Sequence, residues 1–111
     1  MDNELSEEQK EILIDLVEEC AEVIHECTKI LRFGIDGMRP GTTSSNRSKL
    51  TKEVSDVLAC IQVVDKAGLF LKGENVFVYY KRLKLAKLGG KYSNLPKEWL
   101  EWGLYELVEP V

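Results

Sequence analysis

An all-α helical bundle, completed by self-association, is the fold class that three features of the chain predict. Apolar residues keep helical spacing without a break from Ile12 to Leu31. Two further helical stripes follow, Leu50 to Val64 and Val76 to Leu88. Stripes this wide on a chain of 111 residues leave apolar surface that a monomer could not cover, so a homodimer or homotetramer is expected.

The first helix opens at Ser6-Glu7-Glu8-Gln9, a capping box with Ser at the N-cap and Gln at the third helical position. Ile12, Leu13, Leu16, Val17, Cys20, Val23, Ile24, Cys27, Ile30 and Leu31 carry it from about residue 7 to about 33, where Gly34 ends it. Residues 34–47 have no periodicity and are rich in turn formers, a long loop for so small a domain. Arg32, Arg39 and Arg47 suit phosphate oxygens, and this loop is expected to be a lid that closes on them. A second helix is predicted from about residue 48 to about 67, closing near Gly68, and a third over about 76–88, stopping at Gly89-Gly90. The apolar side of the third carries Val76, Phe77, Tyr80, Leu83 and Leu88, and its other side is basic. A short helix is expected near Glu98–Trp102 in the tail, residues 93–111.

By size the chain is a single domain, with a helical core over about residues 7–92. A hydrophobic fraction of 44% with 31% charged residues is ordinary for a soluble globular protein. The apolar runs are too short for a membrane span or a secretory signal, and the acidic start Met1-Asp2-Asn3-Glu4 carries no targeting pattern. A net charge of −4 argues against general nucleic-acid binding. Cys20, Cys27 and Cys60 match no zinc or thioredoxin-like spacing and are expected to be buried free thiols in a reducing cytoplasm.

The functional clue lies in the second stripe. At about 100° per residue, Leu50, Val54, Val57, Ile61 and Val64 share one face, with Glu53 inside that face and Asp56 on its edge. A carboxylate facing a core is costly unless a cation or hydrogen-bond donor meets it. Lys49 alone among the basic residues of this helix is placed to point the same way, so a partner from elsewhere is expected, and a divalent metal is the simplest. The first helix supplies more carboxylates: Glu18-Glu19-x-x-Glu22, with Glu26 further along the same border. Residues three apart are neighbours on a helix, so Glu19 with Glu22 and Glu53 with Asp56 form pairs that antiparallel helices could bring face to face. Four like charges in one small volume make sense around cations, and an all-oxygen set points to Mg²⁺ or Mn²⁺. For Glu18 and Glu26 a solvated helix face is an equal reading.

Glu18-Glu19-x-x-Glu22 followed by Glu53-x-x-Asp56 resembles the paired motifs of the MazG-like, all-α nucleoside triphosphate pyrophosphohydrolases. Thr28-Lys29-Ile30-Leu31-Arg32-Phe33-Gly34 and Asn46-Arg47-x-x-Leu50 are similar to the small phage-type members, and the resemblance covers roughly residues 7–92. The 30 residues between Glu22 and Glu53 exceed the usual spacing, and Lys91-Tyr92 stands where many members have Arg-Tyr. The resemblance implies Mg²⁺-dependent cleavage between the α and β phosphates, in the cytoplasm, or in a host's cytoplasm if phage-encoded. It implies Glu19, Glu22, Glu53 and Asp56 as metal ligands and Glu18 and Glu19 as catalytic residues, Glu18 to orient or deprotonate the attacking water or else to face solvent. Lys81, Lys84, Lys87 and Lys91, with Arg82 beside them and Arg47 from the loop, would meet the phosphates, though a solvated face explains the lysines equally well.

Two other classes compete. Glu22-x-x-His25 matches the element of a di-metal carboxylate bundle, but His25 falls about 140° from the centre of the apolar stripe and is expected at the surface. The second is a non-catalytic helical interaction module. Phe33, Trp99 and Trp102 could stack on a base, and core packing explains them as well.

Overall fold

The computed structural model describes residues 3–38, 40–73 and 75–100. It is all-helical, with α1 (Glu7–Phe33), α2 (Asn46–Lys66), α3 (Val76–Lys91) and a short 3-10 helix, Lys97–Leu100. Among the described residues no helix is long and apolar enough to cross a membrane. By its contacts the chain divides into two compact units, Met1–Leu69 and Phe70–Val111, each with its own packing.

The first unit is a helical hairpin. The capping box forms as expected: the Ser6 hydroxyl accepts from the Gln9 amide and the Gln9 side chain accepts from the Ser6 amide, both at 3.0 Å. α1 ends at Gly34, whose φ of 92° a side chain would resist. α2 begins at Asn46, earlier than the spacing predicts, because the Ser45 hydroxyl accepts from the Ser48 amide at 3.1 Å and caps the helix there. The two helices pack antiparallel and are tied at both ends. Gln9 Nε2 donates to the Ala67 carbonyl at 3.0 Å, and the buried Asn46 donates through Nδ2 to the Gly34 carbonyl at 2.9 Å.

The wide apolar stripe of α1 does not pack as one face. Its packed side runs through Ile12, Leu16, Glu19, Val23, Glu26 and Ile30, which are half-buried except for the fully buried Glu26. Leu13 is half-buried at the margin of that side, and Ile14, Val17, Ile24 and Leu31 are exposed. This rotation corrects the expectation for the thiols: Cys20 and Cys27 are free but exposed, and Cys60 is half-buried. On α2 the predicted stripe holds, with Val64 at 1% exposure, Leu50, Val57 and Ile61 half-buried, and Val54 at its open edge.

The loop between the helices is fastened at its base. The amides of Asn46 and Arg47 donate to the carbonyls of Gly37 and Ile35 at 2.8 and 2.7 Å, and Met38 bridges Ser45. Gly37 is required there, since a Cβ would sit 2.9 Å from the Phe33 carbonyl oxygen and 3.2 Å from Asn46 Nδ2. Arg39 lies outside the described residues. The span not held by these bonds is therefore shorter than the predicted lid.

In the second unit Phe70 meets Phe77 edge-on at 5.0 Å. α3 continues through Gly89 and Gly90 to Lys91 rather than stopping at the glycines. The reason is packing: a Cβ on Gly89 would meet Leu100 Cδ1 at 2.9 Å, so the glycine admits the 3-10 helix against α3. That helix, Lys97–Leu100, overlaps the predicted short helix, whose last residues, with Trp102, lie outside the described residues. The packed side of α3 carries Val78, Lys81 and Leu85, leaving Phe77, Tyr80 and Leu83 exposed.

The tie at Asn46 should be measurable. Asn46→Ala leaves the Gly34 carbonyl short of its donor, so urea denaturation should show a loss of about 1–3 kcal/mol with the helix content retained. A loss below about 0.5 kcal/mol, the scatter of ordinary surface changes, would show that this bond does not hold the hairpin.

Candidate metal centre

Three carboxylates meet between α1 and α2. Glu19, Glu53 and Asp56 each offer an oxygen, and the three oxygens lie within 4.8 Å of one another. Glu53 is 6% exposed; Glu19 and Asp56 are half-buried. The placement follows from helix geometry: Glu53 and Asp56 are one turn apart on α2, and Glu19 faces them because the packed side of α1 runs through it.

The repulsion is visible in the ionisation of Glu19. Loss of solvent around it, then the charges of Asp56 and Glu53, and more weakly that of Glu22, raise its pKa, against a lowering by Lys52. Burial and then the charges at Glu19, Asp15 and Asp56 also push the Cys60 thiol up.

The main correction concerns the cation. Lys52, on α2 itself, places Nζ 2.8 Å from Asp56 Oδ2 and 3.6 Å from Glu53 Oε1. The hydrogen bond to Asp56, followed by the two negative charges, raises the Lys52 pKa. A long lysine stem reaches around the helix surface from a neighbouring position, so a partner did not have to come from elsewhere. The Lys52 side chain remains 65% exposed, which makes this a weak and replaceable ion pair.

The other expected residues are placed less centrally. Glu22 and Glu18 are exposed, and neither belongs to the three-oxygen group. His25 is also exposed, so the Glu-x-x-His element is not gathered into this centre. Arg47 is held by Asp36, Nε to Oδ1 at 2.9 Å and a second bond at 3.2 Å, which lowers the Asp36 pKa and raises that of Arg47. Lys84, Lys87 and Lys91 are exposed on α3, with Lys91 Nζ 5.3 Å from the Tyr92 ring. Lys81 does not share their face, because a three-residue step drifts by about 60° on each repeat and carries it to the packed side.

One residue, Lys52, escaped the sequence reading, and for Glu26 the structure decides between the two readings given. Lys52 was visible as the first member of a Lys-x-x-x-Asp pair. Glu26 is 2% exposed, with Lys29 Nζ 4.0 Å from Oε2, rather than solvated. Its signal was the seven-residue step from Glu19, which keeps both on one helix face.

Comparison with family models, with curated proteins and with solved structures finds no match for this chain.

The two ionisation shifts have opposite signs against pH. A carboxyl with a raised folded-state pKa binds more protons folded than unfolded, so its contribution falls as pH rises from the ordinary glutamate range through the raised value. Metal-free Glu19→Gln should therefore gain stability relative to wild type as pH rises through that window, and lose this gain below it. Asp36 behaves oppositely: its contribution is present above the ordinary aspartate range and is lost as pH falls through its lowered pKa. Denaturation curves of wild type, Glu19→Gln and Asp36→Asn across pH 3–8 check both signs, and parallel profiles for the three proteins would contradict them.

Proposed function

We propose that this protein is a Mg²⁺-dependent nucleoside triphosphate pyrophosphohydrolase of the MazG-like type, releasing the monophosphate and pyrophosphate. The observation that carries the reading is the convergence of Glu19, Glu53 and Asp56 oxygens within 4.8 Å on two antiparallel helices, with Glu53 buried. The donors fit a small hard cation. Magnesium prefers carboxylate and water oxygens, and this all-oxygen group would offer it three carboxylates.

In this reading Glu19, Glu53 and Asp56 hold Mg²⁺ or Mn²⁺, and Glu22, one turn along α1 from Glu19, completes the set. Bound there, the metal would lower the pKa of a coordinated water and neutralise phosphate oxygens. Glu18, exposed beside Glu19, is assigned to orient the attacking water and take its proton. Water adds to one of the two phosphorus atoms of the α–β bridge, the bridging P–O bond breaks, and the monophosphate and pyrophosphate separate. Lys52 pairs with Asp56 in the metal-free protein, and its exposed ammonium would give way to a cation held there. Lys84, Lys87 and Lys91 form a cationic face suited to phosphate oxygens, whereas Arg47 must first leave Asp36.

The Lys52 ion pairs favour a second reading, in which the carboxylates are structural and the protein is a non-catalytic helical interaction module. Glu53→Gln separates the two. If the centre binds metal, the variant in chelator should be as stable as wild type or slightly more so, because one repelling charge is gone. Excess Mg²⁺ should then raise the Tm of wild type only, and pyrophosphate release from a mixture of ribo- and deoxynucleoside triphosphates should fall by orders of magnitude in the variant. A variant much less stable in chelator, with a wild type indifferent to Mg²⁺, would hand the site to the structural reading.

A further inference from the structure

We infer that the outer face of α1 is the docking surface for a second copy of this chain, with the two α1 helices antiparallel about a two-fold axis near Glu22 and Val23. The inference is independent of the enzymatic reading, because this face points about 150° around α1 from the row that carries Glu19.

The face is a heptad seam. Ile14, Ala21 and Thr28 repeat every seven residues, as do Val17, Ile24 and Leu31, and together they alternate in the three-four rhythm of a coiled-coil interface. All six are exposed, with Ile14 at 56%, Val17 at 67%, Ile24 at 65% and Leu31 at 85%. The Thr28 hydroxyl donates to the His25 carbonyl at 2.7 Å, so its polar atom is already satisfied and its methyl is free to join the seam. The hairpin has reason to use it: among the described residues Val64 is the sole hydrophobic residue of the buried class.

Charge complementarity sets the direction. The row along one flank of the seam is Glu11, Glu18, His25 and Arg32, acidic at its start and basic at its end, and all four are exposed. Flanking rows of this kind meet their own counterparts when two helices run antiparallel. Glu11 then faces Arg32 of the second copy, and Glu18 faces its His25. In the seam itself Ile14 meets Leu31 of the second copy, Val17 meets Thr28, and the small Ala21 receives Ile24. A parallel pair would instead set Ala21 against Ala21 and leave Glu18 opposite Leu13 and His25 opposite Cys20, with no opposite charge. The other flank of the antiparallel pair brings Cys20 near Cys27 of the second copy, and both thiols are exposed and free.

The full chain in reducing buffer should sediment as a dimer at micromolar concentration, and Ile24→Glu should make it a monomer with unchanged helix content. Ile24 is exposed in the single chain, so this change leaves the hairpin packing alone. Glu11→Lys and Arg32→Glu should each raise the dimer Kd about tenfold at low salt, and the double swap should restore it. A short bismaleimide should join Cys20 of one copy to Cys27 of the other, read by peptide mass spectrometry. A monomeric wild type, a dimer indifferent to Ile24→Glu, double-swap chains no tighter than the single ones, or a Cys20–Cys20 product as the main cross-link would each overturn the inference.

Discussion

Burial of the Glu53 carboxylate between two antiparallel helices is the constraint that the hairpin is arranged around. A negative charge at this position asks for compensation, and its neighbours make matters worse, since Glu19 across the interface brings a further charge and Asp56, one turn along α2, another. The middle of the hairpin thus gathers like charges. Its ends compensate: side-chain-to-backbone bonds at Gln9 and Asn46 clamp α1 to α2 on either side of the repelling zone. Lys52 relieves the rest from solvent, at the small strength expected of an exposed ion pair.

Much of this was legible in the residues. The capping box at Ser6, the stop at Gly34, the three helices and the inward position of Glu53 all follow from periodicity and cap chemistry, which are local properties. What periodicity could not decide was which part of a wide apolar stripe packs. α1 offers apolar residues over more than half its circumference, and the partner helix chose the side containing Glu19 and Glu26 rather than the side centred on Cys20. Lys52 escaped because helical-wheel angles place Cα atoms, whereas a lysine ammonium reaches a full turn away from its own. The run of α3 through Gly89-Gly90 escaped for a similar reason: local propensity reads two glycines as an end, while here Gly89 lies beneath the Leu100 side chain of the 3-10 helix.

α1 therefore has two sides with different chemistry. One is mixed apolar and acidic and is satisfied, imperfectly, within the chain; the other is almost wholly apolar along its crest and ordered in charge along its flank. Selection for a charged centre on one side of a helix weakens what that side can contribute to stability. A helix carrying such a centre gains from a second, purely apolar side that makes good the shortfall.

The closed base of the loop between α1 and α2 has its own consequence for how such a protein can change. The Met38–Ser45 bridge and the bonds from Asn46 and Arg47 close the hairpin at the base of the loop, before the loop proper begins. Residues can be added, removed or exchanged there at little thermodynamic cost, since closing a somewhat longer loop adds only a fraction of a kcal/mol, about 0.6 for each doubling. That segment is the part of the molecule free to diverge, where lineages can try new contacts while the helical frame stays fixed.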